Sequence, residues 1–128
     1  MSATRGTVLV IEDDADVREV LADVLRAHGY TVVTAGDGED GLRAARGAPP
    51  GLILLDLMMP RMSGYEFLEV RATDRELRAI PVIVLTADRS ANDRLSDGGA
   101  ALVLSKPPAL DQLLDSVTAL CRDRAATG

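Results

Sequence analysis

Four apolar runs in this chain each end in a side chain able to do chemistry. Residues 8–11 (VLVI) run into Glu12, Asp13 and Asp14, and residues 52–55 (LILL) into Asp56. Residues 82–85 (VIVL) end at Thr86, and residues 101–104 (ALVL) at Ser105 and Lys106. Carboxylates brought together repel one another and raise each other's pKa unless a cation sits among them. A set made only of oxygen ligands suits a hard cation, Mg²⁺ with Mn²⁺ as a substitute. Mg²⁺ keeps several waters and takes one or two carboxylates together with phosphate oxygens, so such a cluster is a half-filled cage that awaits a phosphoryl group. Lys106 adds a mobile positive charge and Thr86 a hydroxyl donor. A carboxylate nucleophile, a metal, a lysine and a hydroxyl are the parts needed to make and hold an aspartyl phosphate.

Each residue also has a plain structural reading. The acidic triplet could be a loop or a helix cap, Asp56 a cap, Thr86 an ordinary strand end and Lys106 a solvated charge. Their conjunction at four strand ends points to chemistry. In an open α/β sheet, ligands bind outside the carboxyl ends of the strands, where strand order reverses. If the first and third strands are neighbours there, Glu12, Asp13 and Asp56 converge.

The elements that must position these residues follow from the hydrophobic pattern. None of the four runs alternates with polar residues, which suits strands covered on both faces of a parallel sheet. Residues 31–35 (TVVTA) read as a weaker fifth strand with the polarity of an edge. Between the runs lie helical patterns. Val17, Val20, Leu21, Val24 and Leu25 share one face of a helix, with Arg18, Glu19, Asp23 and Arg26 on the other and Gly29 as its C-terminal cap. Residues 38–46 form a short helix. Ser63 caps a third, carrying Phe67 and Leu68. Leu110, Leu113, Leu114, Val117 and Leu120 give the last helix its apolar stripe. Residues 92–99, with Asn, Asp, Ser and two glycines, predict a short or irregular fourth helix. The β-α alternation, five times over, predicts a doubly wound five-stranded parallel α/β sheet.

Composition sets outer bounds. A chain of 128 residues suits a single domain, here a core of about 6–121 and a tail of 122–128 too short for an output domain. With 47% apolar residues but 2% aromatics, the core is aliphatic. A net charge of −6 with dispersed basic residues argues against nucleic acid as a partner. The one cysteine, Cys121, forms no internal disulfide, which fits a reducing compartment. No signal peptide or membrane-spanning run stands out. The expected localisation is cytoplasmic.

The segments VLVIEDDADVRE, LILLDLMMPRMSGYEF, IPVIVLTA and SKPP together resemble the receiver domains of two-component response regulators, in the stand-alone form of the chemotaxis regulators, over about residues 6–121. The resemblance implies a flavodoxin-like sheet of order 2-1-3-4-5. It implies a phosphoacceptor rather than an enzyme acting on a separate substrate. Asp56 takes the phosphoryl group from a histidine kinase or phosphotransfer protein and also ligates Mg²⁺. Asp13 ligates the metal directly, Glu12 through water, and Met58 through its backbone carbonyl, with Asp14 the variable residue after the acidic pair. Thr86 hydrogen-bonds the phosphoryl group, Lys106 ion-pairs with it, and the Lys106–Pro107 peptide is cis. The implied output is binding to a separate downstream protein.

Three positions depart from the family's usual pattern. Val103 stands where Tyr or Phe is common, Gly51 stands where Asp is common, and Thr86 and Lys106 are 20 positions apart, closer than usual. Other readings are weighed against this one. A pseudo-receiver, an interaction module never phosphorylated, would not need the full set Glu12, Asp13, Asp56, Thr86 and Lys106. A dehalogenase-type phosphohydrolase uses Asp-x-Asp at its nucleophile, whereas Leu57 and Met58 follow Asp56 here. A flavodoxin-like electron carrier wants a hydroxyl-rich phosphate loop after the first strand, where EDDAD would repel a flavin phosphate.

Overall fold

Successive side chains of a strand point to opposite faces, so unbroken apolar runs require cover on both sides of their sheet. The computed structural model, which describes residues 6–59, 61–87 and 100–121, supplies that cover with helices. In chain order its elements are β1 (Thr7–Ile11), α1 (Ala15–Ala27), β2 (Thr31–Ala35), α2 (Gly38–Gly47), β3 (Leu52–Asp56), α3 (Gly64–Thr73), β4 (Val82–Thr86), β5 (Leu102–Ser105) and α4 (Leu110–Leu120). The strands are parallel in the order β2-β1-β3-β4-β5. Ile11 pairs with both Ala35 and Leu55, Asp56 with Leu85, and Thr86 with Ser105. This is the doubly wound sheet the alternation predicts, in the order the resemblance implies.

The two faces divide the core by parity. Leu9, Ile11, Ile53, Leu55, Val82 and Val84 pack with Leu42 and Ala45 of α2 and Phe67 and Leu68 of α3. Val8, Val10, Leu52, Leu54, Ile83 and Leu85 pack with Leu21 and Leu25 of α1 and Leu113 and Val117 of α4. β1, β3 and β4 are therefore buried almost throughout. A one-residue slip in any of them would exchange its two side-chain sets, which pins the register that the site depends on.

Local signals start the helices just past the strand ends. Asp14 accepts from the backbone N–H groups of Asp16 and Val17, Asp37 from Asp40, and Ser63 with Glu66 forms a reciprocal capping box. Gly29, at φ 94°, closes α1 in the left-handed region that glycine enters freely.

Some expectations need correction. Val20 and Leu110 are exposed. The buried face of α1 is centred on Leu21, Ala22 and Leu25, because only that arc meets the sheet. β5 is less buried than β1, β3 and β4, although Val103 packs on one face and Leu102 on the other. As an edge strand it has β4 as its single neighbour, and only Leu104 of its four residues is buried. It also starts at Leu102, one residue later than its apolar run. The expected fourth helix at 92–99 lies outside the described residues. No helix among the described residues is long and apolar enough to cross a membrane.

One buried cation ties α3 to the segment that leads into β4. Arg71 lies four and three residues after Phe67 and Leu68, on their buried face. Its Nη2 donates to the Ile80 carbonyl at 2.6 Å and the Arg78 carbonyl at 3.1 Å, and its Nε to Ile80 at 3.1 Å. Arg71→Ala leaves those carbonyls unpartnered and is expected to cost about 2–4 kcal/mol in urea melts. Arg43→Ala, which breaks an exposed pair with Asp40, should cost no more than about 0.5 kcal/mol.

Candidate functional site

The sheet order sets β1 beside β3 at the switch point, and their carboxyl ends carry the acidic residues. Glu12 prolongs β1: its N–H donates to the Ala35 carbonyl at 3.1 Å, and its side chain is 1% exposed. Asp56 is the last residue of β3 and is 3% exposed. Asp13, on the loop between β1 and α1, is exposed. One carboxylate oxygen from each of Glu12, Asp13 and Asp56 lies within 4.8 Å of the others. The expected trio converges.

Lys106 reaches the trio from the far edge of the sheet. Its Nζ lies 3.0 and 3.1 Å from the two oxygens of Glu12 and 3.5 Å from Asp56 Oδ2. Its backbone N–H donates to the Thr86 carbonyl at 3.0 Å, so β4 and β5 stay paired up to the residue that carries the ammonium. The Lys106–Pro107 peptide is cis, as expected. Thr86 is buried at the end of β4. Met58 donates its N–H to Asp56 Oδ1 at 3.3 Å and projects a side chain 70% exposed. Asp14, the third acid of the triplet, is the α1 cap and also donates its N–H to Glu12 Oε1 at 3.3 Å. The plain reading of the triplet as a cap therefore holds for Asp14 and not for the pair before it.

One ammonium does not neutralise this much negative charge. Burial pushes the Asp56 carboxyl up to about 7; the Glu12 charge and contact with Asp13 add to the rise, and Lys106 and the Met58 N–H oppose it. Burial works against the Lys106 ammonium, but the hydrogen bond and charge of Glu12, with those of Asp56, outweigh it and raise its pKa. Crowded oxygen ligands whose buried member, Asp56, is still short of positive charge fit a hard divalent cation. Asp13, Asp56 and Glu12 are the groups that could hold it.

Two features left little trace in the sequence. Gly64 opens α3, and its N–H donates to the Leu57 carbonyl at 2.9 Å. A Cβ at Gly64 would lie 2.8 Å from Leu57 Cα and 3.0 Å from the Asp56 carbonyl oxygen. The loop after the acidic strand end thus closes only around a bare residue, and the signal for it is the SG pair at a helix start. The second is Arg18, which the helical spacing puts on the solvent face of α1; its Nη1 donates to the Glu12 carbonyl at 2.8 Å.

Comparison with known proteins points one way. The family model described as the response regulator receiver domain matches residues 8–118. The chain is 42% identical over 118 residues to the response regulator MprA of Mycobacterium ulcerans, covering 90% of this chain and 50% of that protein. It is 37% identical to hybrid signal transduction histidine kinase D of Dictyostelium discoideum, over 88% of this chain and 7% of that one. This chain thus spans half or less of the length of these relatives. Among solved structures, chemotaxis protein CheY4 of Vibrio cholerae superposes with a TM-score of 0.84 at 29% identity, over 92% of this chain and 99% of that one. The signal receiver domain of a histidine kinase from Syntrophus aciditrophicus gives 0.82 at 32%, over 90% and 89%.

Two outcomes test this geometry. Between the usual carboxyl value of 3.8 and about 7, the folded chain holds a proton on Asp56 that the unfolded chain has lost. Without divalent metal, stability from this group therefore falls as pH rises through that window and levels off above it. Asp56→Asn should stabilise the metal-free protein at pH 8 by on the order of 2–4 kcal/mol and have little effect near pH 4; urea melts at both pH values check it. Gly64→Ala should cost about 2–4 kcal/mol by the same measure, since backbone on β3 must move.

Proposed function

The chain belongs to the response regulator receiver family, and on that premise we propose that Asp56 accepts a phosphoryl group from a histidine kinase or phosphotransfer protein, with Mg²⁺ held by Asp13, Asp56 and, through water, Glu12. The observation that carries this reading is the cluster of three carboxylates at neighbouring strand ends, bridged by the Lys106 ammonium. An Asp56 carboxylate oxygen attacks phosphorus as the bond from phosphorus to the donor's imidazole nitrogen breaks. The product is an acyl phosphate on Asp56. When bound, the metal neutralises phosphoryl oxygens and the carboxylates around them. The backbone carbonyl of Met58 is the remaining ligand in this reading. Mn²⁺ has the same ligand preference and substitutes.

The chain's own residues then hold the product. Lys106 exchanges its ion pair with Glu12 for one with the phosphoryl oxygens, and the Thr86 hydroxyl donates to them. Because both groups have a partner in each state, phosphorylation shifts an equilibrium between two arrangements. The output is altered binding to a separate protein. Val103 has few rotamers and cannot sweep the surface an aromatic ring would, so backbone shifts after Thr86 carry the change. Backbone shifts of the 92–99 segment would share the change, and Asp88, two residues past Thr86, would flank the path of a hydrolytic water; both lie outside the described residues. The exposed Met58 side chain offers no group to orient a hydrolytic water, which favours a long-lived phosphoryl group.

Intact-mass measurement after treatment with acetyl phosphate and Mg²⁺ should show one phosphoryl adduct, lost in Asp56→Asn and in EDTA. Asp13→Asn should reduce phosphorylation and Mg²⁺ affinity most, Glu12→Gln less, and Asp14→Asn least, since Asn also caps helices. An adduct that survives in both Asp56→Asn and Asp56→Ala moves the chemistry to another residue. No adduct in the wild type makes the chain a binding module instead.

A further inference from the structure

We propose that Arg18 is a positioning residue for the metal-binding loop: by holding the Glu12 carbonyl it fixes the Glu12–Asp13 peptide, and with it the place of the Asp13 carboxylate. The inference rests on the reading of Asp13 as a metal ligand. Arg18 lies four residues past the Asp14 cap, and its N–H donates to the Asp14 carbonyl at 2.9 Å as the first turn of α1 closes. Side chains on a helix lean toward its N-terminus, so the guanidinium extends back over that turn to the loop. Its Nη1 reaches the Glu12 carbonyl at 2.8 Å. A Cβ on Gly36 would lie 3.4 Å from the same nitrogen, so the guanidinium also lies against the loop after β2.

The bond completes the restraint of Glu12. The N–H of that residue is tied to Ala35 and its carboxylate to Lys106 and the Asp14 N–H. Its carbonyl is the group that sets the tilt of the next peptide, and Arg18 takes that carbonyl. Asp13 is the exposed member of the acidic trio, without the burial that fixes Glu12 and Asp56. Its position therefore depends on the peptide plane that carries it. A hydrogen bond from a charged donor is among the stronger restraints available to such a plane.

The sign of the effect separates positioning from plain charge. A cation near a Mg²⁺ site repels the metal, so a guanidinium acting only as charge would weaken binding, and its removal would tighten it. A guanidinium that holds the loop does the reverse. The test is Mg²⁺ titration by calorimetry of the wild type, Arg18→Ala and Arg18→Lys, with thermal melts and amide exchange at Asp13 and Asp14 in the metal-free proteins. Arg18→Ala is expected to weaken Mg²⁺ binding by ~10-fold, to speed exchange at these two amides, and to leave the melting temperature little changed. Arg18→Lys should recover part of the affinity, because it keeps a donor of similar reach. Unchanged or tighter binding by Arg18→Ala, with the wild type binding Mg²⁺, overturns the inference alone. A wild type that binds no Mg²⁺ overturns the metal reading and the inference with it. A loss of affinity matched by a collapse in melting temperature, without rescue by Arg18→Lys, also counts against positioning.

Discussion

Two carboxylates buried at the ends of adjacent strands, with a third at the rim, are the constraint to which this end of the molecule conforms. Glu12 and Asp56 are almost wholly withdrawn from water, and charges so placed need partners. Among the described residues the cation that partners both is Lys106, which arrives from the end of β5, two strands beyond β3. The ion cluster thus joins the middle of the sheet to one of its edge strands. β5 has one strand neighbour among the described residues and one fully buried residue, and the Lys106 contacts add to the β4 pairing that places its end. Anything that draws the ammonium from Glu12 bears directly on that edge.

The parts of the site that can be read from the sequence are those governed by periodicity. An apolar run of fixed length has to stop where cover stops, so the hydrophobic pattern alone identifies Asp56, Thr86 and Lys106 as strand-end residues. Strand order does not follow from the residues themselves; it comes with the family resemblance, and without it Glu12 and Asp56 need not meet. The acidic triplet has two readings that spacing alone does not divide, and the hydrogen bonds of Asp14 divide them: one residue caps α1 and two face the site.

What escapes the sequence has a common physical cause. Val20 and Leu110 sit at helical spacing with buried neighbours, yet burial depends on which arc of the helix the sheet covers, and a stripe of apolar residues is wider than that arc. β5 looks like an interior strand because composition does not record how many strands flank it. Arg18 reads as one more solvated charge, since a bond to a backbone carbonyl demands nothing of the partner's side chain. Gly64 is required by a close approach of two backbone segments, which leaves no pattern beyond a glycine at a helix start.

The charge balance gives a physical reason why such a cluster would respond to the proposed phosphorylation. Three carboxylates against one ammonium leave two formal negative charges, the charge that one divalent cation supplies. With that cation held, the site is close to neutral, and Lys106 has no strong reason to leave Glu12. The proposed phosphoryl group on Asp56 would replace a single negative charge by about −1.5 to −2, spread over three acceptor oxygens. The ammonium then has a richer partner in reach of the same side chain, while Glu12 keeps the Asp14 N–H. On the proposed reading, covalent modification at the end of β3 would become a choice between two positions of a lysine just past β5, at the edge of the sheet.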